Sequence, residues 1–356
     1  MNPAIKKILF SIGLPFSPLY SQLMVFRAFL YRKGIFKTHE LSVPVVSVGN
    51  LTMGGTGKTP LVMYLAKQLA DLGYKPAIVS RGYRGTSNAD VNIVTDGTGI
   101  LMEAEASGDE PWLLANELSG VVVATGRNRV LPCREVIRLY NCDIIILDDG
   151  FQHLKVARTI DLVLFDVDVF AGNSRVFPGG ELREPVKALS RCSAFVLTGI
   201  NQSNTIRSDK CSEILLNRFQ DKELFRFTGS YHRAFQYGSL NEDPERKTIP
   251  VSELPENLFC FCGIANPQRF NQLLLENGIM TAGFKTFDDH HHYSDKDLDQ
   301  LFTDARSQNA TGFLTTEKDI SKTRNILRHK LPVFTLPFEF KENHDFNQFI
   351  AERLVK

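Results

Sequence analysis

Residues 43–61 read VPVVSVGNLTMGGTGKTPL, and the reading of this stretch decides the fold. Val43, Val45, Val46 and Val48 are β-branched, which suits a short buried strand. Gly54, Gly55 and Gly57, with Thr56 among them, allow backbone N–H groups to turn inward on an anion. Lys58 follows as a cation for the β/γ-phosphates and Thr59 as a hydroxyl for Mg²⁺. Pro60 then falls in the first turn of a helix, where a missing N–H costs nothing. That helix runs through Leu61, Val62, Tyr64, Leu65, Ala66 and Leu69 to Gly73, with its N-terminal dipole toward the phosphates. One position departs from the usual P-loop spelling: Thr52 stands where the first glycine would be. The loop specifies a nucleoside triphosphate and leaves open what is done with it.

Working outward, strand and helix patterns alternate. Strands are expected at 76–80, 91–94, 121–124, 143–147, 162–165 and 194–198, with helices at 111–118 and 130–140. The fold class is α/β: a P-loop NTPase core with a mostly parallel sheet flanked by helices. From 225 to 257 the character shifts, with a hairpin-like alternation at 226–235. A smaller α/β unit follows, with strands at 258–264, 282–287, 312–315 and 332–337 and helices at 267–276 and 295–307. The expected domains are 1–39, a membrane-interfacial segment; 40–224, the core; 225–257, a hinge; and 258–356, the smaller unit.

The first 39 residues carry Lys6, Lys7, Arg27, Arg32, Lys33 and Lys37 before the first acidic residue, Glu40. Apolar residues 8–16 are interrupted by Gly13 and Pro15, and 19–31 reads as a second apolar helix. Neither stretch alone offers the roughly 20 apolar residues of a spanning helix. An interfacial segment is expected, with apolar groups at the acyl boundary and basic groups on anionic head groups. A net charge of +1 gives no argument for nucleic acid. The six cysteines form no C-x-x-C pair and read as reduced, buried thiols of a cytosolic protein.

Binding groups in parallel sheets gather at the carboxyl ends of strands, and Arg81, Arg127, Asp148 and Asp166 all stand at such ends. Asp148 and Asp149 are preferred over Asp166 as partners of Thr59 on Mg²⁺, because Gln152 and His153 make the polar cluster there denser. Asp109, in Gly108-Asp109-Glu110-Pro111, has two open readings: a helix cap, or a general base for a substrate hydroxyl. Asp289-His290-His291-His292 lacks the Cys or Glu spacing of a transition-metal site, and a histidine that orients or relays a proton suits it better. Arg127, Arg129 and Arg183 are candidate phosphate clamps.

The chain holds, in order, SVGNLTMGGTGKTP, SRGYRG, GDEP, DDGFQH, PGGELREP at 178–185, GIANPQRF at 263–270, DHH and TTEKD. This ordered set resembles the tetraacyldisaccharide 4'-kinase family, the lipid A 4'-kinases of Gram-negative bacteria, over residues 8–322. The Thr52 departure is shared with that family. The resemblance implies transfer of the γ-phosphate of ATP to the 4'-hydroxyl of tetraacyldisaccharide 1-phosphate, giving lipid IVA. It implies peripheral action at the cytoplasmic face of the inner membrane, and a C-terminal domain joined by a strand-like hinge. It also implies a base at Asp109, paired with His290, the first histidine of the DHH motif, and a second acidic motif at Asp148-Asp149. Arg81, Glu110, Arg127, Gln152, His153, Arg183 and Glu184 are candidates for contacts to substrate or phosphate. Asp288 and His292 stand where the family commonly has proline. The expected partners are the acylated disaccharide lipid and the membrane, with no nucleic acid and no obligate protein partner evident. The competing reading is a P-loop GTPase or ATPase switch acting through partner binding, although no N-K-x-D base-reading motif is present.

Overall fold

The computed structural model describes residues 3–237, 246–264, 266–289, 291–327 and 331–354. The chain forms two compact units, Met1–Thr228 with Phe340–Lys356, and Gly229–Glu339.

The first unit is built on β1 (Val45–Asn50), β2 (Pro76–Ser80), β3 (Asn92–Thr95), β4 (Val122–Thr125), β5 (Ile144–Asp148), β6 (Ile160–Asp166), β7 (Ala194–Thr198) and β8 (Glu223–Arg226). These form an eight-stranded sheet in the order β3-β4-β2-β5-β1-β6-β7-β8. Every pairing is parallel except β3 with β4. Strands covered on both faces need apolar side chains on both sides, which is why β5 reads IIIL and β6 reads LVLF. Helix α3 (Lys58–Asp71) is set directly against the sheet: Leu61, Val62, Leu65, Ala66 and Leu69 are fully buried.

Two helices precede the sheet, α1 (Pro3–Gly13) and α2 (Ser17–Arg32), joined by a 3₁₀ turn at Leu14–Phe16. One stripe of this pair docks on the domain. Gly13 and Ser17 are buried, and Tyr20, Met24, Arg27, Ala28 and Tyr31 are half-buried, at the three-to-four spacing of a helix face. A Cβ on Gly13 would collide with the Pro178 backbone, so only glycine permits that approach. The opposite stripe faces outward: Ile12, Phe16, Leu19, Leu23 and Phe26 are each more than half exposed, Ile12 at 65%. Here the structure differs from the sequence expectation. Because the 3₁₀ turn joins the helices without a gap, the helical stretch Lys6–Arg32 reaches 27 residues, long and apolar enough by length and composition to cross a membrane.

Between β3 and β4 lie α4 (Ala104–Ser107) and α5 (Asp109–Glu117); α6 (Val130–Tyr140) follows β4 and α7 (Thr205–Arg218) follows β7.

The second unit holds β9 (Gly229–Ser230), β10 (Arg233–Tyr237), β11 (Lys247–Pro250), β12 (Leu258–Cys262), β13 (Thr281–Thr286), β14 (Gly312–Thr315) and β15 (Val333–Thr335). Its sheet runs β11-β10-β15-β14-β12-β13, with β10 antiparallel to both neighbours. Helices α8 (Pro267–Glu276), α9 (Asp295–Ser307) and α10 (Glu317–Leu327) connect its parallel strands.

Two boundaries depart from the expected division. The alternation at 226–235 is not one hairpin: Arg226 ends β8 of the first sheet, and Arg233 begins β10 of the second. The chain also does not stay in the second unit to its end. After β16 (Glu339–Phe340), helix α11 (His344–Leu354) belongs to the first unit. The cause is a cluster of rings: Phe346 lies 5.0 Å from Phe227 and 5.3 Å from Phe225, both edge-on. Tyr64 of α3 adds a hydrogen bond to Asn347, 2.8 Å.

Candidate active site at the carboxyl ends of β1 and β5

The loop after β1 has the backbone its glycines permit. Gly54 has φ of 121°, and Gly57, at the start of α3, has φ of 77°. The Thr56 carbonyl accepts from the Thr198 hydroxyl at 2.8 Å, tying the loop to the end of β7. Gly55 has open space around it, so nothing in the protein crowds the cradle there. Lys58 and Thr59 open α3, and Pro60 sits in its first turn. Thr52 is fully buried and bridges Leu182 in an antiparallel contact, an extended conformation that a threonine adopts as well as a glycine. That contact draws in the PGGELREP run. Met53 N–H donates to Glu181 at 2.8 Å, and Arg183 N–H donates to Leu51 at 2.8 Å.

β5 pairs with β1 so that Asp148 lies opposite Val48, which puts both acidic residues beside the phosphate loop. Their environments diverge. Asp149, at φ of 49°, receives both oxygens' bonds from Arg183, 2.9 and 2.8 Å, and has Lys58 at 3.5 Å. Burial would raise its carboxyl, but Lys58 and Arg183 outweigh burial and hold it near about 2. Asp148 is buried at the strand end, and burial, then the carboxylates of Glu110 and Asp149, push it up to about 6. Asp166 does a different job: its carboxylate accepts from the amides of Asp168 and Val169, 2.9 and 3.3 Å, closing the turn after β6.

A buried carboxylate at the end of β5 and a hydroxyl in the first turn of α3 are the donor chemistry of a hard cation. Thr59 and Asp148 fit Mg²⁺; Asp149 is already neutralised by two cations. Among the described residues no three His, Cys, Asp or Glu side chains gather into a metal cage. Mg²⁺ needs none, since it binds through one or two carboxylates plus phosphate oxygens.

The GDEP motif arrives from the other side. Asp109 and Glu110 form the first turn of α5, whose N-cap position is Gly108, so Asp109 stands inside the helix rather than at the cap. Gly108 has φ of 97°, and a side chain there would strike the Tyr83 carbonyl. The amides of Thr86 and Ser87 bond the carbonyls of Glu105 and Ala106, 3.0 and 3.2 Å, which fastens the SRGYRG loop to GDEP. Arg81 and Arg127 are both exposed and line one cavity of about 380 Å³ together with Tyr83 and Arg84. Arg129, by contrast, is 5% exposed, and its Nε has no hydrogen-bond partner among the described residues. Burial lowers its pKa, and the carboxylates of Asp149 and Asp148 act the other way.

Gln152 bonds outward through its side chain: Nε2 donates to the Asn50 carbonyl at 2.9 Å, and Oε1 accepts from Arg183 at 3.4 Å. His153 is held neutral. Burial, then Arg129 and Arg158, push it down to about 3. Glu184 has another role than substrate contact. It is 2% exposed and paired with Arg191 at 2.9 Å, and Arg191 lies over the Phe151 ring at 4.4 Å. This pairing pins the PGGELREP run to the DDGFQH loop. His290 lies outside the described residues. Its neighbours in the second unit do not: Phe287 stacks on His291 at 4.7 Å, and His291 bonds Asp297 at 3.1 Å. Asp319, fully buried, accepts from Tyr293, from Thr316 and from the Gly263 amide. It thereby ties together the strand ends that flank the DHH motif. The sequence gives no hint of that network, nor of Arg27 on α2 reaching the Gln152 carbonyl at 3.0 Å.

Comparison with known proteins agrees with this arrangement. The family model "Tetraacyldisaccharide-1-P 4'-kinase" (LpxK) matches residues 9–355. The tetraacyldisaccharide 4'-kinase of Desulfotalea psychrophila is 43% identical over 350 residues, 98% of this chain and 97% of that protein. The same-named protein of Syntrophus aciditrophicus is 37% identical, over 95% of this chain and 91% of that one. The solved structure of LpxK from Aquifex aeolicus in complex with ATP is similar with a TM-score of 0.76 at 31% identity, covering 97% of this chain and 99% of the other. The P-loop, the acidic strand end and the whole-length match together place the chain in the tetraacyldisaccharide 1-phosphate 4'-kinase family.

Proposed function

We propose that the chain transfers the γ-phosphoryl group of ATP to the 4'-hydroxyl of tetraacyldisaccharide 1-phosphate, a step of lipid A synthesis that yields lipid IVA. The match to the tetraacyldisaccharide 4'-kinases over nearly the whole chain supports this, together with a phosphate-loop lysine at the acidic end of β5: Lys58 lies 3.5 Å from Asp149. Lys58 draws negative charge from the β- and γ-phosphates. Thr59 and Asp148 would hold Mg²⁺, which would neutralise the charge that develops on the transferred group. With nucleotide bound, Lys58 would exchange Asp149 for phosphate, leaving Asp149 its two bonds from Arg183. Asp109, one residue from Glu110, accepts the proton that the sugar hydroxyl loses as the new P–O bond forms. His290 works with it as one unit. Arg81 and Arg127 provide cations for the anionic head of the lipid.

The N-terminal helices rest in the membrane interface, peripherally and on the cytoplasmic side, where ATP is available. They lie along the surface rather than crossing it, because Ser17 and Arg27 are bonded to the Val176 and Gln152 carbonyls. A spanning orientation would strip both bonds. The outward stripe of Ile12, Phe16, Leu19, Leu23 and Phe26 then meets acyl chains.

The test is nucleotide turnover with and without acceptor. The kinase reading expects ADP release only when an acylated disaccharide 1-phosphate is added. Slow hydrolysis that ignores the acceptor would instead favour a P-loop switch.

A further inference from the structure

Helix α2 does more than present an apolar face. On its inner side Arg27 donates to the Gln152 carbonyl at 3.0 Å, in the loop that directly follows Asp148 and Asp149. The Gln152 side chain spans two further elements. It donates to the carbonyl of Asn50, the buried last residue of β1, and accepts from Arg183. Asn50 in turn donates to the Gly54 carbonyl at 3.3 Å, inside the phosphate loop. Arg183 grips both oxygens of Asp149, and Asp149 faces Lys58. A continuous set of contacts therefore runs from α2 to the phosphate lysine.

A second contact of α2 ends at the same place. The Ser17 hydroxyl donates to the Val176 carbonyl and accepts from the Gly179 amide, both at 2.8 Å. Tyr20 packs edge-on against Phe177, ring centroids 5.5 Å apart. Val176 bridges Leu182, the residue before Arg183. The helix thus fixes both segments whose side chains meet at Asp149, one through Gln152 and one through Arg183.

We propose that Arg27 is a positioning residue for phosphoryl transfer: it holds the loop 149–153, and through Gln152 the phosphate loop and the Arg183–Asp149–Lys58 set. The inference rests on the kinase reading only for its kinetic consequence; the geometric claim is independent of it. An ordinary docking contact would be replaceable by any side chain that keeps α2 in place. A positioning contact is not, because it needs a long side chain that brings an N–H donor to the Gln152 carbonyl from this half-buried site.

The experiment uses the full chain with Arg27→Ala, Arg27→Lys and Gln152→Ala, alone and with Arg27→Ala and Gln152→Ala combined. Kinetics are run with acceptor dispersed in detergent, so that membrane retention cannot limit the rate. Amide hydrogen exchange is followed at 148–154 and at the phosphate loop. The expected result for Arg27→Ala is a fall in kcat of about 10-fold, in the range of a lost positioning contact. KM for ATP and acceptor should stay within about twofold, with Tm nearly unchanged. Exchange at Gly150 and His153 should quicken, Arg27→Lys should recover part of the rate, and the combined variant should be little worse than either alone. A raised acceptor KM with unchanged kcat and unchanged exchange would overturn the proposal, leaving Arg27 a head-group contact. So would multiplicative losses in the combined variant, or a kcat loss that merely follows a loss of Tm. A wild-type chain without acceptor-dependent turnover would defeat the kinase reading, while the exchange result would still decide the positioning claim.

Discussion

Helices α3 and α2 both carry an apolar stripe at helical spacing, and they use it in opposite ways. In α3 the stripe is sealed: Leu61, Leu65 and Leu69 have no exposed surface. In α2 the apolar stripe of Leu19, Leu23 and Phe26 is 60%, 52% and 57% exposed, and the docked stripe carries buried Ser17 with half-buried Tyr20 and Arg27. Apolar periodicity marks a face that needs a partner without saying which partner. For α3 the partner is the sheet, and its polar end is left over to meet phosphate. For α2 the domain takes the stripe of Ser17, Tyr20 and Arg27, and the apolar one is left exposed; under the proposed function it meets lipid. Under the proposed function each helix offers to the reaction the part that packing leaves unused.

The hardest blow to this contrast falls at the head of α3. Lys58→Ala should lower transfer by about 10³-fold, the upper end for losing one charge-stabilising group. Membrane retention should be untouched, since the outward stripe remains. Near-normal turnover in this variant, measured as acceptor-dependent ADP release, would break the P-loop assignment.

The next effect separates base chemistry from phosphate binding. Asp109→Ala should cost about 10²-fold or more in kcat, within the range of a general base, with ATP affinity kept. His290→Ala should cost less, and the double variant little more than Asp109→Ala alone, because members of one unit do not contribute additively. Fully multiplicative losses would show that the two act independently.

A smaller effect belongs to α2. Changing Leu19, Leu23 and Phe26 to serine should weaken vesicle binding by about 10-fold per residue, from about 1.5 kcal/mol of apolar burial each. Activity on detergent-dispersed acceptor should persist. High salt should release the wild-type chain only in part, since screening removes charge attraction but not apolar burial. Unchanged sedimentation with vesicles would place the membrane contact elsewhere.

The P-loop, the parallel sheet and the acidic end of β5 were legible because each rests on a local rule: β-branched runs, glycine where φ is positive, and carboxylates after an apolar strand. The partition of the acidic pair was not. Which of Asp148 and Asp149 is left for a cation depends on Arg183, 34 residues away and delivered by a contact between Thr52 and Leu182. Glu184 read as a site residue because it sits in PGGELREP, yet Arg191 takes its carboxylate. The return of α11 to the first unit was hidden for the same reason. Phe346 and Phe349 show an apolar face, and only tertiary packing against Phe225 and Phe227 tells whose core it fills. The inner side of α2 was masked by its outer side, since Arg27 reads as one more basic residue in a basic, apolar segment.

The smallest effect is at the seam between the two helices, in the loop that Arg27 braces. His153 Nε2 is buried with no hydrogen-bond partner among the described residues, and its imidazole is held down at about 3 against an ordinary 6.5. Below 6.5 an unfolded His153 takes up a proton that the folded one refuses until about pH 3. Stability from this group is therefore complete above pH 6.5 and declines as pH falls toward 3. His153→Gln keeps a polar side chain of similar reach and cannot titrate. Denaturant midpoints taken at pH 7.5 and pH 5 should fall less in that variant than in the wild type. Protonation of the folded imidazole would set a charge among Arg129, Arg158, Lys155 and Arg27, so the loop that α2 holds should loosen only as pH nears 3 and not between 7.5 and 5. An identical pH response in the two proteins would mean that His153 is solvated in solution. The loop would then owe its position to Arg27 and Gln152 alone.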